Sequence, residues 1–113
     1  MTIFVVKDLE EYDYASVLNI RLEGGKTRIS LELPVQVLVD VGWRPREGEE
    51  VEIEVSDKVK DGDWQIILSG KPLRHEKGKV VYSFGGLLCK IESPKIKIVD
   101  PVYLHLKVKN RNG

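Results

Sequence analysis

The sequence is poor in the residues that carry most reactive chemistry. Cys89 is the lone cysteine among 113 residues, so no internal disulfide can form, as suits a reducing cytoplasm. Histidine occurs only as His75 and His105, and no C-x-x-C, H-x-x-x-H or H-E-x-x-H spacing is present. A metal site needs several converging N, S or O ligands, so none is expected. There is no G-x-S-x-G, and Gly85-Gly86 is not followed by the Lys-Ser/Thr of a phosphate-binding loop. No apolar run approaches the roughly 20 residues that span a bilayer. The opening Met1-Thr2-Ile3-Phe4-Val5-Val6-Lys7 lacks the basic and long apolar stretches of a secretory leader. The expectation is a cytoplasmic, non-catalytic chain with no cofactor, no small-molecule substrate and no membrane partner.

A charge excess is lacking too, since 18 Lys/Arg balance 18 Asp/Glu. The balance is uneven along the chain. Residues 1–63 carry 15 Asp/Glu and 8 Lys/Arg, whereas residues 64–113 carry 3 and 10. Separated charge can steer docking, but antiparallel barrels pair distant segments, so strands from both halves are expected to interleave and mix the signs. Amides are scarce (Asn19, Asn110, Asn112, Gln36, Gln65) and charge is abundant at 32%, a composition that leans toward a thermophile.

What is present is alternation. Leu18, Ile20 and Leu22 alternate with Asn19, Arg21 and Glu23; after Gly24-Gly25-Lys26, Ile29, Leu31 and Leu33 alternate with polar residues. Successive strand side chains point to opposite faces, so this is a hairpin with one buried face. Val51, Ile53 and Val55 form the clearest strand. Trp64, Ile66 and Leu68 follow the Asp61-Gly62-Asp63 turn. Val80, Tyr82 and Phe84 follow a His75-Glu76-Lys77-Gly78 loop, then come Leu87, Cys89 and Ile91, and last Val102, Leu104, Leu106 and Val108. Residues 34–42 fit two patterns. Val35, Val37, Val39 and Val41 alternate as a strand does, while Pro34, Leu38 and Gly42 suit a short helix; the valine alternation favours strand. Seven or eight short strands with glycine-marked turns predict one all-β domain over residues 1–113, an antiparallel Greek-key barrel of the OB-fold type.

Cys89 shares the inward row with Leu87 and Ile91 and reads as a core residue. His105 falls on an outward row and reads as solvated, as does His75. The glutamates at 47, 49, 50, 52 and 54 read as a solvated face. Gly85-Gly86 reads as a bulge or sharp bend. Tyr103, Lys107 and Lys109 share one outward strand face, where aromatic and basic groups could stack bases and hold phosphates; the chain's lack of basic excess argues instead for an ordinary surface or protein interface.

Two segments add a resemblance. Tyr82-Ser83-Phe84-Gly85-Gly86-Leu87-Leu88-Cys89-Lys90-Ile91 resembles the signature of the subunit-eight family of archaeal and eukaryotic DNA-dependent RNA polymerases. Val99-Asp100-Pro101-Val102-Tyr103-Leu104-His105-Leu106-Lys107 resembles that family's closing strand, and Ser69-Gly70-Lys71-Pro72-Leu73-Arg74 a Gly-Lys-x-x-Arg stretch before the signature. Cys89 replaces the methionine of eukaryotic members, and their long acidic insertion is missing; both departures point to the archaeal form. The resemblance implies a Greek-key barrel docked on the polymerase's largest subunit, with a structural or assembly role and no direct contact with nucleic acid. The docking surface it suggests comprises Ser83, Phe84, Gly85, Gly86 and Leu88. Two other readings stand beside it: a free-standing OB-fold binder of single strands using Tyr103, Lys107 and Lys109, and a dimeric β-hairpin transcription regulator, which leaves everything after Trp64 unexplained.

Overall fold

Alternating β-branched and polar residues place one apolar row on one face of each strand, and a sheet with one apolar face must fold that face away from water. A computed structural model describes residues 2–109 and shows how this is done. Eight strands form a closed antiparallel barrel: β1 (Thr2–Tyr12), β2 (Val17–Gly24), β3 (Thr27–Pro34), β4 (Glu50–Ser56), β5 (Ile66–Glu76), β6 (Lys79–Phe84), β7 (Leu87–Glu92) and β8 (Val102–Val108). A 3-10 turn, Asp13–Ala15, joins β1 to β2, and one helix, α1 (Val35–Val41), follows β3.

Around the barrel the order is β1-β2-β3-β7-β6-β5-β8-β4, closed by pairing of β4 with β1. β4-β1-β2-β3 is a Greek key, three hairpin-linked strands with the fourth returning beside the first. β8-β5-β6-β7 is a second. The two meet at two seams between corresponding strands, β3 with β7 and β4 with β8, both antiparallel. The topology therefore repeats although the sequence does not. Each key opens with an 11-residue strand that changes partner midway. β1 pairs β4 through Thr2–Val5 and then β2, while β5 pairs β8 through Ile66–Gly70 and then β6. Each of these strands carries a β-bulge, between Val6 and Asp8 in β1 and between Pro72 and Arg74 in β5. Bulges bend and twist a strand, which suits one shared between two neighbours of a tightly curved barrel.

Gly70 marks the bend in β5. A Cβ there would collide with the Ser83 carbonyl and the Phe84 ring, so β5 and β6 can close together only over glycine. The Phe84 ring fills the space that the missing side chain leaves.

The inward rows merge into a single core that includes Val6, Ile20, Leu31, Val51, Val80, Tyr82, Leu104 and Leu106, each almost wholly shielded from water. α1 lies across one end, where Leu38 and the following Trp43 are buried. Residues 93–101 cross the other end, where Ile96 and Val99 pack against the core and the Val99 N–H donates to the Tyr82 hydroxyl at 3.1 Å.

Three expectations from the sequence are corrected. Residues 35–41 are helix, not strand: Gly42 takes a left-handed φ of 70°, and the Trp43 N–H donates to the Leu38 carbonyl at 3.0 Å, which ends the helix and returns the chain across the barrel mouth. The valine alternation is overridden because only a helix puts both Leu38 and Trp43 over that mouth. His75 and Glu76 extend β5 rather than forming a loop, leaving Lys77-Gly78 as the turn. The two halves of the chain do not interleave. Each forms one contiguous side of the barrel and their strands pair only at the seams, so the strands of the acidic and basic halves remain separate sides.

Two substitutions test this account. Leu104→Asp puts an unpaired charge in the core at a cost of several kcal/mol and is expected to abolish the cooperative thermal transition in circular dichroism. Gly70→Ala, which forces the β6 backbone at Ser83 to give way, is expected to destabilise by about 3 kcal/mol or more, whereas Ser69→Ala, exposed on the same strand, leaves the midpoint unchanged.

Candidate functional site

Connections decide which outward residues stay outward. In the strand order β4-β8-β5, the chain leaving β4 must cross β8 to reach β5. Residues 57–65 make that crossing and cover His105, which is fully buried despite its outward position on β8. The expectation of a solvated histidine is thereby corrected. The Lys60 N–H donates to Nε2 at 3.0 Å, so Nε2 accepts; Nδ1, 3.1 Å from the Glu54 carbonyl, donates. Both ring nitrogens are thus committed to backbone, in the Nδ1–H tautomer. Trp64 packs against the imidazole with ring centroids 5.2 Å apart. His105 clips the crossing to the barrel.

Cys89 is likewise withdrawn from chemistry. It is fully buried on the inward row of β7, and burial pushes its thiol from 9.0 up to about 12. Burial also raises the Tyr82 hydroxyl, partly offset by the hydrogen bond from Val99. Among the described residues no three His, Cys, Asp or Glu side chains converge as a metal ion would require, and no helix is long and apolar enough to cross a membrane.

The residues singled out for nucleic acid lie apart in character. Tyr103 is half-buried beside Ser69 and Ser56. Lys107 is bound to Asp63 at 2.9 Å and paired across the β4–β8 seam with Glu52. The hydrogen bond between them holds the Asp63 carboxyl below its usual range and raises the Lys107 ammonium above its own. The Lys109 N–H donates to the Glu50 carbonyl. The basic groups of β8 thus run beside the glutamates of β4.

The residues singled out for docking are divided by the fold. Gly85 and Gly86, with φ of 65° and 96°, form a two-residue hairpin turn joining Phe84 to Leu87, the sharp bend of the two readings and not the bulge. The Gly86 N–H donates to the Ser83 hydroxyl at 3.3 Å. Ser83, Gly85 and Gly86 line an open groove of about 520 Å³ with Ser69, Lys71 and Tyr103. Phe84 turns into the core and cannot itself meet a partner. Leu88, 42% exposed, lies on the outer face of β7 and is no part of this groove; its N–H donates to Glu32 at 2.9 Å. Alternation gave Leu88 its outward direction, but nothing in the sequence placed Tyr103 beside the glycine turn. That neighbourhood exists because β5 pairs with β8 on one side and β6 on the other.

His105→Phe is expected to leave the Lys60 N–H unpaired, at about 1–3 kcal/mol, and to shift Trp64 fluorescence; an unchanged midpoint and spectrum would contradict the clip. Cys89 and Tyr82 both have folded values raised by burial, so their contribution is complete below the unfolded values. For Cys89 it is lost as pH rises from 9.0 toward about 12. Stability measured by denaturant should fall through that window, less steeply in Cys89→Ala.

The comparisons with known proteins add no relative: no protein-family model matches the chain, and no curated protein does.

Proposed function

We propose that the chain is a non-catalytic subunit of an archaeal-type DNA-dependent RNA polymerase, docked on the largest subunit in a structural or assembly role, in the cytoplasm. What supports this reading is a convergence. The two segments that resemble the family, Tyr82–Ile91 and Val99–Lys107, are separate in sequence, yet both contribute to one groove through Gly85, Gly86, Pro101 and Tyr103. Tyr82 and Val99 are also tied directly by the hydrogen bond between them. A groove floored by glycine lets another backbone approach closely, and a half-buried tyrosine at its wall is a residue enriched in protein interfaces. The chemistry of the chain agrees. Its one thiol is protonated in the core, and its one buried imidazole is bound at both nitrogens to backbone.

The single-strand binder is less well supported, because Lys107 is engaged by Asp63 and the β8 stripe adjoins Glu50 and Glu52. Phosphate would have to displace those carboxylates.

A tagged copy expressed in its native cell is expected to co-purify with the polymerase's largest subunit, identified by mass spectrometry. Ser69→Arg with Tyr103→Ala, both at the groove and outside the core, should lower recovery about tenfold or more, as loss of an interface anchor does, without changing the melting midpoint. Recovery of no polymerase subunit would end the proposal, and salt-sensitive binding of the purified chain to a short oligonucleotide would favour the single-strand binder.

A further inference from the structure

The outer face of β5, β6 and β7 carries an arrangement that the barrel does not need. At the β5 bulge, Leu73 is the additional residue, and it is 59% exposed beside the exposed Arg74. Bulges re-aim side chains. The matching bulge in β1 turns out Lys7, which water solvates at no cost. Turning out a leucine gives up the stabilisation its burial would bring, and the core gains nothing from it.

The register places this leucine among others of its kind. Arg74 pairs with Val81, and Val81 with Lys90; Lys71 pairs with Ser83, and Ser83 with Leu88. Leu73 therefore lies beside Val81, with Leu88 in the adjoining row and Lys71, Arg74 and Lys90 around them. A hollow of about 360 Å³ lined by Arg74, Val81, Leu88 and Lys90 continues across the β3–β7 seam to Arg21 and Glu32, whose carboxylate accepts from the Leu88 N–H. Lys90 has no ion pair among the described residues, and Arg74 reaches only Glu76, at 3.9 Å. The face belongs to the basic side of the barrel.

We propose that this face binds an extended acidic segment of another protein, whose carboxylates meet Arg74 and Lys90 and whose aliphatic side chains lie on Leu73, Val81 and Leu88. Charge complementarity fixes the sign of the partner, and the aliphatic residues between the cations fix its class. A nucleic-acid strand would want aromatic platforms for its bases. The outward positions of β6 and β7 hold none; Tyr12, which lines the far side of the hollow, comes from the acidic half. Exposed apolar residues rimmed by charge are the usual form of a protein-binding patch. The inference rests on this face alone and not on the polymerase assignment, which concerns the groove at the glycine turn.

The purified chain is tested by fluorescence anisotropy against three probes: a peptide alternating glutamate with leucine, a polyglutamate of equal length, and a single-stranded oligonucleotide. The alternating peptide is expected to bind most tightly and to weaken as salt is raised. Arg74→Glu with Lys90→Glu should weaken it about tenfold or more, and Leu73→Ser with Leu88→Ser should bring it down to the level of polyglutamate. All four positions are exposed, so unchanged melting midpoints certify the fold. No binding of the alternating peptide at low salt, or binding indifferent to both double variants, overturns the proposal. So does tighter binding of the oligonucleotide through the same cations, or self-association at low salt that the variants abolish, which would make the partner a second copy. Success here with no polymerase recovered from cells would remove only the proposed function; the reverse result would remove only this inference.

Discussion

Closure of the barrel is the constraint on which everything else depends. Each Greek key alone would end in two unpaired strand edges, β3 and β4 in one, β7 and β8 in the other. An exposed edge is a row of unsatisfied backbone donors and acceptors that pairs with whatever it meets. Joining β3 to β7 and β4 to β8 satisfies all four edges at once and seals the apolar rows inside. Neither key could hold its core without the other.

Closure also dictates where the connections run. Because the fourth strand of each key sits beside the first strand of its own key and the fourth strand of the other, the chain must cross the barrel three times. α1 crosses one end and residues 93–101 the other, and each brings apolar side chains to plug the opening. The third crossing, residues 57–65, passes over β8. It buries His105 and engages Lys107 through Asp63. The character of the β8 face is therefore set by a loop more than by the strand itself. The two crossings that plug the ends leave the glycine-turn groove and the β5–β7 face open, and both proposed binding surfaces lie there.

The separation of charge follows from the same topology. A sheet in which strands of the two halves alternated would have blended acidic and basic residues. Two keys joined at corresponding strands keep them on opposite sides, with opposite charges facing each other at the seams, as Arg28 faces Glu92 and Lys107 faces Glu52. A protein without net charge thereby presents a polar body able to orient on a charged surface.

Period-two patterning in the sequence determined most of the strands, the inward rows, the buried thiol at Cys89 and the outward direction of Leu88, because the pleat ties side-chain direction to position with no reference to partners. It faltered where the pleat is interrupted. The bulges at Lys7 and Leu73 shift the phase, which hid most of β1 and the second half of β5. The four alternating valines of residues 35–41 carry a strand preference too weak to resist the demand that Leu38 cap the barrel. Only the tertiary structure decided that His105 is interior, that Tyr103 stands beside Gly85 and Gly86, and that the charged halves form opposite sides. Each of these depends on which strands neighbour one another and which loop crosses above them, and such long-range pairings leave no local trace in the chain.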